Sequence, residues 1–144
     1  MPREIIRIMS KHLREYVREV LLSERVTING IQIPAEVARD PQSRSKGLSH
    51  RKELAADSGM LFCFPDCKER SFWMKDTHIP LSIAYADDFG SITNIEDLYP
   101  HNEAGVKSQG PATYALEMNQ GWFDENGISP GDKIEGIDVR RSKS

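Results

Sequence analysis

Apolar residues near the amino terminus recur at steps of three and four, which is the spacing of one face of an α-helix. The residues of this series are Ile5, Ile6, Met9, Leu13, Val17, Val20 and Leu21. Together with Pro2, which suits a first helical turn, the pattern predicts an amphipathic helix within residues 1–24. The opposite face carries five cations against three glutamates, a net charge of +2. We interpret the helix either as packed on its own domain with a solvated basic face, or as a contact for a membrane surface, an acidic partner or a second subunit.

After Ser23 the pattern changes to a period of two, which is the period of β-strands. Apolar residues alternate on both sides of Asn29-Gly30, a pair that readily forms the tight turn of a β-hairpin. The further strand candidates are residues 60–64, 71–74, 81–86, 91–98, 114–118 and 133–139. Many short strands separated by turns predict a mainly β domain over residues 25–139, built as a compact antiparallel sandwich or barrel-like domain with short helices.

Two short helices are predicted within this domain. Asp40-Pro41 can begin a helix that ends at Gly47, because aspartate caps a helix, proline suits its first turn and glycine suits its end. Asn119 can cap a second helix over residues 120–126 in the same way.

Composition indicates an ordinary globular protein of one domain. The chain has 144 residues, of which 38% are hydrophobic and 28% charged, and a net charge of −3, which argues against bulk nucleic-acid binding. No apolar stretch approaches the roughly 18 residues needed to span a bilayer, and charges interrupt the amino terminus where a signal peptide is apolar. We therefore predict a cytoplasmic protein whose residues 140–144 form a disordered tail.

Cys63 and Cys67 lie four positions apart. A zinc site would have to recruit His50, His78 or His101, and no second pair of closely spaced ligands accompanies the cysteines. We predict that both thiols are reduced and metal-free, and that the protein has no cofactor.

Residues 72–81 read Phe-Trp-Met-Lys-Asp-Thr-His-Ile-Pro-Leu. The four polar residues at its centre cost free energy if they are buried without partners, so the segment is predicted to line a pocket or a polar network. We interpret His78 as a structural or surface histidine. Residues 100–111 form a loop long enough to cover such a site.

Several short blocks occur in a recognisable order. They are Arg44-Ser45-Lys46-Gly47-Leu48, Ser58-Gly59-Met60-Leu61-Phe62, Phe72-Trp73-Met74-Lys75-Asp76-Thr77, Ile79-Pro80-Leu81, Ala115-Leu116-Glu117 and Gly131-Asp132. From about Val26 to Val139 the chain resembles the domain-of-unknown-function 192 family. The resemblance implies a compact, mainly antiparallel β domain with barrel-like closure, and it implies no established activity.

The chain departs from the family pattern at three positions. Ser49 stands where methionine is usual, Asp76 where asparagine is usual and Ser82 where aspartate is usual. An acidic group is therefore unavailable at position 82 for any family role that depends on it.

The polar residues of the matched blocks define the candidate site. We predict that a ligand is bound by Arg44, Trp73, Lys75, Asp76, Thr77 and Glu117. Strand alternation would place Trp73 and Lys75 on the pocket wall, and Phe72 and Met74 inward.

Three interpretations of this cluster stay open. It can be a structural ion-pair network that includes Arg51, with Glu117 as the counter-charge to Lys75 or Arg44. It can be a non-catalytic cationic and aromatic cleft for a small anionic or carbonyl-rich ligand or a protein partner. The alternative function is a small hydrolase that uses Asp76 and Glu117 as a carboxylate pair, or else His78 with Cys63.

Overall fold

The computed structural model of the protein describes Ser10, Lys11, Leu13, Arg14 and residues 24–137. The predicted amino-terminal helix therefore lies almost entirely outside the described residues, as does the predicted tail. The elements are β1 (Glu24–Ile28), β2 (Ile31–Ala38), α1 (Pro41–Lys46), β3 (Gly59–Lys68), β4 (Ser71–Phe72), β5 (Leu81–Ala86), β6 (Ile92–Leu98), β7 (Val106–Lys107), β8 (Ala112–Asn119) and α2 (Trp122–Glu125). The prediction of a mainly β domain with short helices is confirmed.

Six strands form one sheet in the order β1-β2-β3-β8-β5-β6, and β4 pairs separately with β7. Strands β2 and β3 are parallel, whereas the other pairs are antiparallel. The exception arises because the connection through α1 carries the chain back across the sheet before β3 begins, and parallel neighbours require such a crossover. The sheet is therefore mainly antiparallel, as predicted, with one parallel pair.

The six strands form an open sheet. The resemblance implied barrel-like closure, and these strands do not close into a barrel. The segment 131–135 makes backbone hydrogen bonds to both edge strands of the sheet. At β6, the Ile92 N–H donates to the Asp132 carbonyl (2.9 Å), and at β1 the Thr27 N–H donates to the Glu135 carbonyl (3.0 Å). Each contact involves a single pair of residues and does not extend into a strand. The predicted strand over residues 133–139 is therefore not formed within residues 133–137.

Local sequence signals account for the β1–β2 hairpin and for α1. Asn29 and Gly30 both have positive φ angles, 51° and 79°, as the predicted tight turn requires. The Asp40 side chain accepts a hydrogen bond from the Ser43 N–H (2.8 Å), and the Ser43 hydroxyl oxygen accepts one from the Asp40 N–H (3.3 Å). Together these two bonds form a capping box. The predicted hairpin and the first helix, which ends at Gly47, are confirmed.

Both faces of the sheet are covered, so the central strand β8 buries every residue from Ala112 to Met118. One face carries a core cluster that includes Leu116, Met118 and the two aromatic residues of α2. The other face carries a second cluster that includes Phe62, Tyr85 and Ala115. Glu117 points to this second face, because side chains alternate along a strand.

The structure corrects two further predictions. The second helix is only Trp122–Glu125 with Gly121 at its amino-terminal cap, whereas Asn119 ends β8 and donates its side-chain amide to the Leu54 carbonyl (3.0 Å). The strand predicted over residues 71–74 ends at Phe72, because it finds a partner only in the short β7 within the predicted loop.

Candidate functional site

A cavity of about 320 Å³ lies on the second face of the sheet, between α1, the residues that follow it, β3 and the segment 71–77. Five of the six residues predicted from the sequence line this cavity: Arg44, Trp73, Lys75, Thr77 and Glu117. They come from three distant parts of the chain. Its volume is in the range typical of small-molecule sites.

Aromatic rings form one wall of the cavity. Phe72 packs edge-on against Phe62 and Phe64, with ring centroids 4.9 Å and 6.2 Å apart, and all three rings line the cavity. On its other side Phe72 contacts the buried Tyr85 ring at 5.8 Å. Such edge-to-face contacts hold the wall in one geometry. Trp73 is 56% exposed and offers a further ring at the mouth.

Three cations, Arg44, Lys46 and Lys75, also line the cavity. One Nη atom of Arg44 donates to the carbonyls of Arg39 (2.6 Å) and Cys63 (3.0 Å), and the guanidinium lies 5.3 Å from the Phe64 ring centroid. These contacts tie the guanidinium to β3 and to the residue that follows β2. Lys46 and Lys75 are exposed, and the Lys75 ammonium lies 5.5 Å from the Trp73 ring. The cationic lining contrasts with residues 24–137 as a whole, where eleven Lys and Arg against eighteen Asp and Glu give a net charge of −7.

Glu117 is the one carboxylate among the described residues of the lining, and it is only 4% exposed. Its position on β8 pairs with Met60 on β3 and Ile83 on β5, so its immediate neighbours in the sheet are apolar. Among the described residues no hydrogen bond or ion pair to its carboxyl group is found, so the predicted pairing with Lys75 or Arg44 is not formed. Burial raises the pKa of Glu117 to about 8. The group is therefore mostly protonated at neutral pH.

Asp76 does not line the cavity, unlike the other five predicted residues. It is exposed, its φ angle is 56°, and its carbonyl accepts the His50 N–H (2.8 Å). Asparagine and aspartate tolerate this left-handed conformation better than most residues, which accounts for both residue types at this position. The carboxylate pair of the hydrolase hypothesis is thus not brought together in this cavity.

The segment around Asp76 is a turn rather than a strand. The Thr77 N–H donates to the Met74 carbonyl (3.1 Å), and the Thr77 hydroxyl donates to the Lys75 carbonyl (3.2 Å). Phe72 and Met74 nevertheless pack into the second core cluster, whereas Trp73 and Lys75 are exposed, as predicted. All four residues border the cavity.

Other residues considered from the sequence lie elsewhere. Arg51 forms a bidentate ion pair with Glu36, which removes it from any network with Glu117. His78 is on the surface, with its Nδ1 atom 3.1 Å from Nε2 of His101.

Cys63 is buried and Cys67 is partly buried, and both are free thiols. Within the described part of the chain no group of three or more potential metal ligands is found, and no helix is long and apolar enough to cross a membrane. The absence of metal and of a cofactor stays a prediction.

Sequence reasoning did not single out Lys46, Phe62 and Phe64 as site residues. A signal for each was present. Phe62 and Phe64 are two residues apart on one strand and therefore share a side of it. Lys46 lies two residues after Arg44 in the helix that borders the cavity.

The fold and the cavity define a class of protein: a small, mainly β domain with a cavity lined by cations and aromatic rings. The model of the family DUF192, described as "Uncharacterized ACR", matches residues 24–136, and the chain belongs to this family. No functionally curated protein matches the chain significantly.

Two solved structures are similar to this chain. One is a proposed transcription regulator from Sinorhizobium meliloti 1021, with 38% sequence identity and a TM-score of 0.75, over 78% of this chain and 92% of that chain. The other is a protein of unknown function from Novosphingobium aromaticivorans DSM 12444, with 34% identity and a TM-score of 0.75, over 78% of this chain and 84% of that chain.

Proposed function

We propose that this domain binds a small organic anion with an apolar or aromatic body, without transforming it. The observation that carries the proposal is the composition of the cavity, which has three cations and an aromatic wall. Residues 24–137 as a whole, in contrast, carry a net charge of −7. Cations fix an anionic group, and aromatic rings bury the apolar body, which is the usual division of labour in ligand sites.

The placement of the cations supports an anionic ligand rather than a structural network. Lys46 and Lys75 line the cavity and no ion pair of either is found among the described residues. A bound anion would supply the counter-charge. Arg44, held by two backbone carbonyls, contributes a positive charge at a fixed position.

Binding is favoured over hydrolysis by the positions of the acidic groups. General acid–base hydrolysis needs two groups within reach of one substrate. Glu117 lines the cavity and Asp76 does not, and no histidine is among the described residues of the lining. The hydrolase alternative therefore lacks its second group.

The test is a thermal-shift and calorimetric titration with phenylacetate, 3-phenylpropionate and 4-phenylbutanoate. A ligand at one hundred times its Kd stabilises the folded state by about 2.7 kcal/mol, which a melting curve detects readily. We expect at least one of the three to raise the Tm of the full chain, and Lys75→Met and Trp73→Ala to weaken its binding.

Lys133→Met and Phe89→Ala are the matched controls, because both side chains are exposed and neither lines this cavity. They should leave binding unchanged. Absence of a shift with all three anions, or equal losses in the control variants, would contradict the proposal.

A further inference from the structure

The buried Glu117 carboxyl is the feature that the binding of a simple anion does not use. A carboxyl group in the lining does not strengthen the binding of a simple anion, since an ionised carboxylate would repel the ligand. Burying such a group without a partner costs free energy, and the sheet around it is apolar. A ligand group that bonds to Glu117 would remove that cost.

The charged and titratable groups around the cavity come from three elements. Arg44 and Lys46 lie on α1, Lys75 lies in the turn after β4, and all three line the cavity. Tyr85, on β5, does not line the cavity but interacts electrostatically with Glu117. The Tyr85 hydroxyl already donates to the Val106 carbonyl (2.6 Å), so its proton is not directed to Glu117. Strand β3 contributes only phenylalanine rings to the lining.

Burial separates these groups into a mouth and a floor. Lys46 and Lys75 are exposed, whereas Glu117 is only 4% exposed. Desolvation by burial raises the pKa of Glu117. The floor of the cavity therefore carries a neutral hydrogen-bonding group, the Glu117 carboxyl, and its mouth carries the positive charges of Lys46 and Lys75.

We infer that the ligand carries a carbonyl oxygen in addition to its anionic group, and that the protonated Glu117 carboxyl donates a hydrogen bond to this oxygen while the cations hold the anion. This inference rests on the proposed function and narrows its ligand class to oxo-substituted or acylated organic anions. A protonated carboxyl group has one O–H donor, which matches one carbonyl acceptor.

The test compares 4-oxo-4-phenylbutanoate with 4-phenylbutanoate, which differ only by the carbonyl group. Calorimetry on the full chain is carried out at pH 6.5 and pH 9, with wild type, Glu117→Gln and Glu117→Met, after circular dichroism has shown that each variant is folded. We expect the oxo compound to bind about tenfold more tightly to wild type at pH 6.5, a typical value for one buried hydrogen bond. The advantage should be lost at pH 9, where Glu117 is mostly ionised.

The variants separate hydrogen bonding from a change of shape. Glu117→Gln retains an N–H donor and should keep the advantage of the oxo compound at both pH values, whereas Glu117→Met should lose it at both. Equal binding of the two compounds to wild type at pH 6.5, or an advantage that persists in Glu117→Met, would overturn the inference and leave the binding function standing. If neither compound binds, the proposed function itself fails.

Discussion

The charge state of Glu117 makes the stability of this domain dependent on pH in a direction opposite to that of most acidic residues. The change that isolates it is Glu117→Gln, which keeps the shape of the side chain and removes its ionisation. In the wild type, burial raises the pKa of this carboxyl to about 8. In the unfolded chain its pKa is ordinary, about 4.3.

The sign follows from which state holds the proton. Between the two pKa values the native state is protonated and the unfolded state is not, so raising the pH favours unfolding. The contribution of Glu117 is fully present below about pH 4 and is lost as the pH rises through about 8. At about 1.4 kcal/mol per pKa unit, the free energy of unfolding should fall by roughly 3–4 kcal/mol between pH 5 and pH 8 from this group alone.

The assay is urea unfolding of wild type and Glu117→Gln at pH 5, 6, 7 and 8. Other titrating groups contribute equally to both proteins, so the difference between their free energies of unfolding reports Glu117. We expect Glu117→Gln to gain roughly 3–4 kcal/mol relative to wild type over this range. Glu103→Gln, in an exposed loop, controls for the loss of one formal charge. A difference that stays constant with pH would show that Glu117 ionises normally in the native protein, and the reasoning about the cavity floor would be refuted.

Three further predictions test the frame around the cavity, each by urea unfolding. Gly59→Ala should cost about 2–3 kcal/mol, because the added Cβ would lie 2.6 Å from a backbone oxygen of β8; an unchanged midpoint would contradict this. Asp76→Val should cost about 1–2 kcal/mol because of the positive φ angle, whereas Asp76→Gly should cost less; the reverse order would exclude backbone strain as the cause. Arg51→Met should cost about 2–3 kcal/mol by leaving Glu36 unpaired, and the double variant with Glu36→Gln should recover most of it; additive losses would show that the pair is not coupled.

The parts of the fold that depend on neighbouring residues could be predicted from the sequence. The hairpin turn at Asn29-Gly30, the cap at Asp40 and the bounds of β5 all depend on a few consecutive side chains. The parallel pairing of β2 with β3 could not, because it depends on the direction in which the connection through α1 crosses the sheet. The periodicity of apolar residues predicts where strands lie, but it does not predict which strands pair with each other.

The candidate site shows the same division. The sequence blocks identified five residues that the fold brings to one cavity, although they are far apart along the chain. Asp76 was misplaced because its conformation, and not its charge, is what the turn requires. The isolation of Glu117 could not be predicted, because it depends on which neighbours β3 and β5 place beside it.

Glu117 also bears on whether the polar cluster is a structural ion-pair network or a ligand site. A scaffold that buries charge normally pairs it, and this chain does so elsewhere: Arg51 and Glu36, only 11% and 14% exposed at their side chains, form a bidentate pair. At Glu117, with two lysines and an arginine lining the same cavity, no such pair is formed among the described residues. A structural network would bring those charges into contact, because a buried charge left without its partner is strongly destabilising. The two lysines instead lie exposed at the mouth of the cavity, whereas burial of the Glu117 carboxyl without a partner costs stability in the empty protein. We propose that a ligand that bonds to Glu117 recovers this cost on binding.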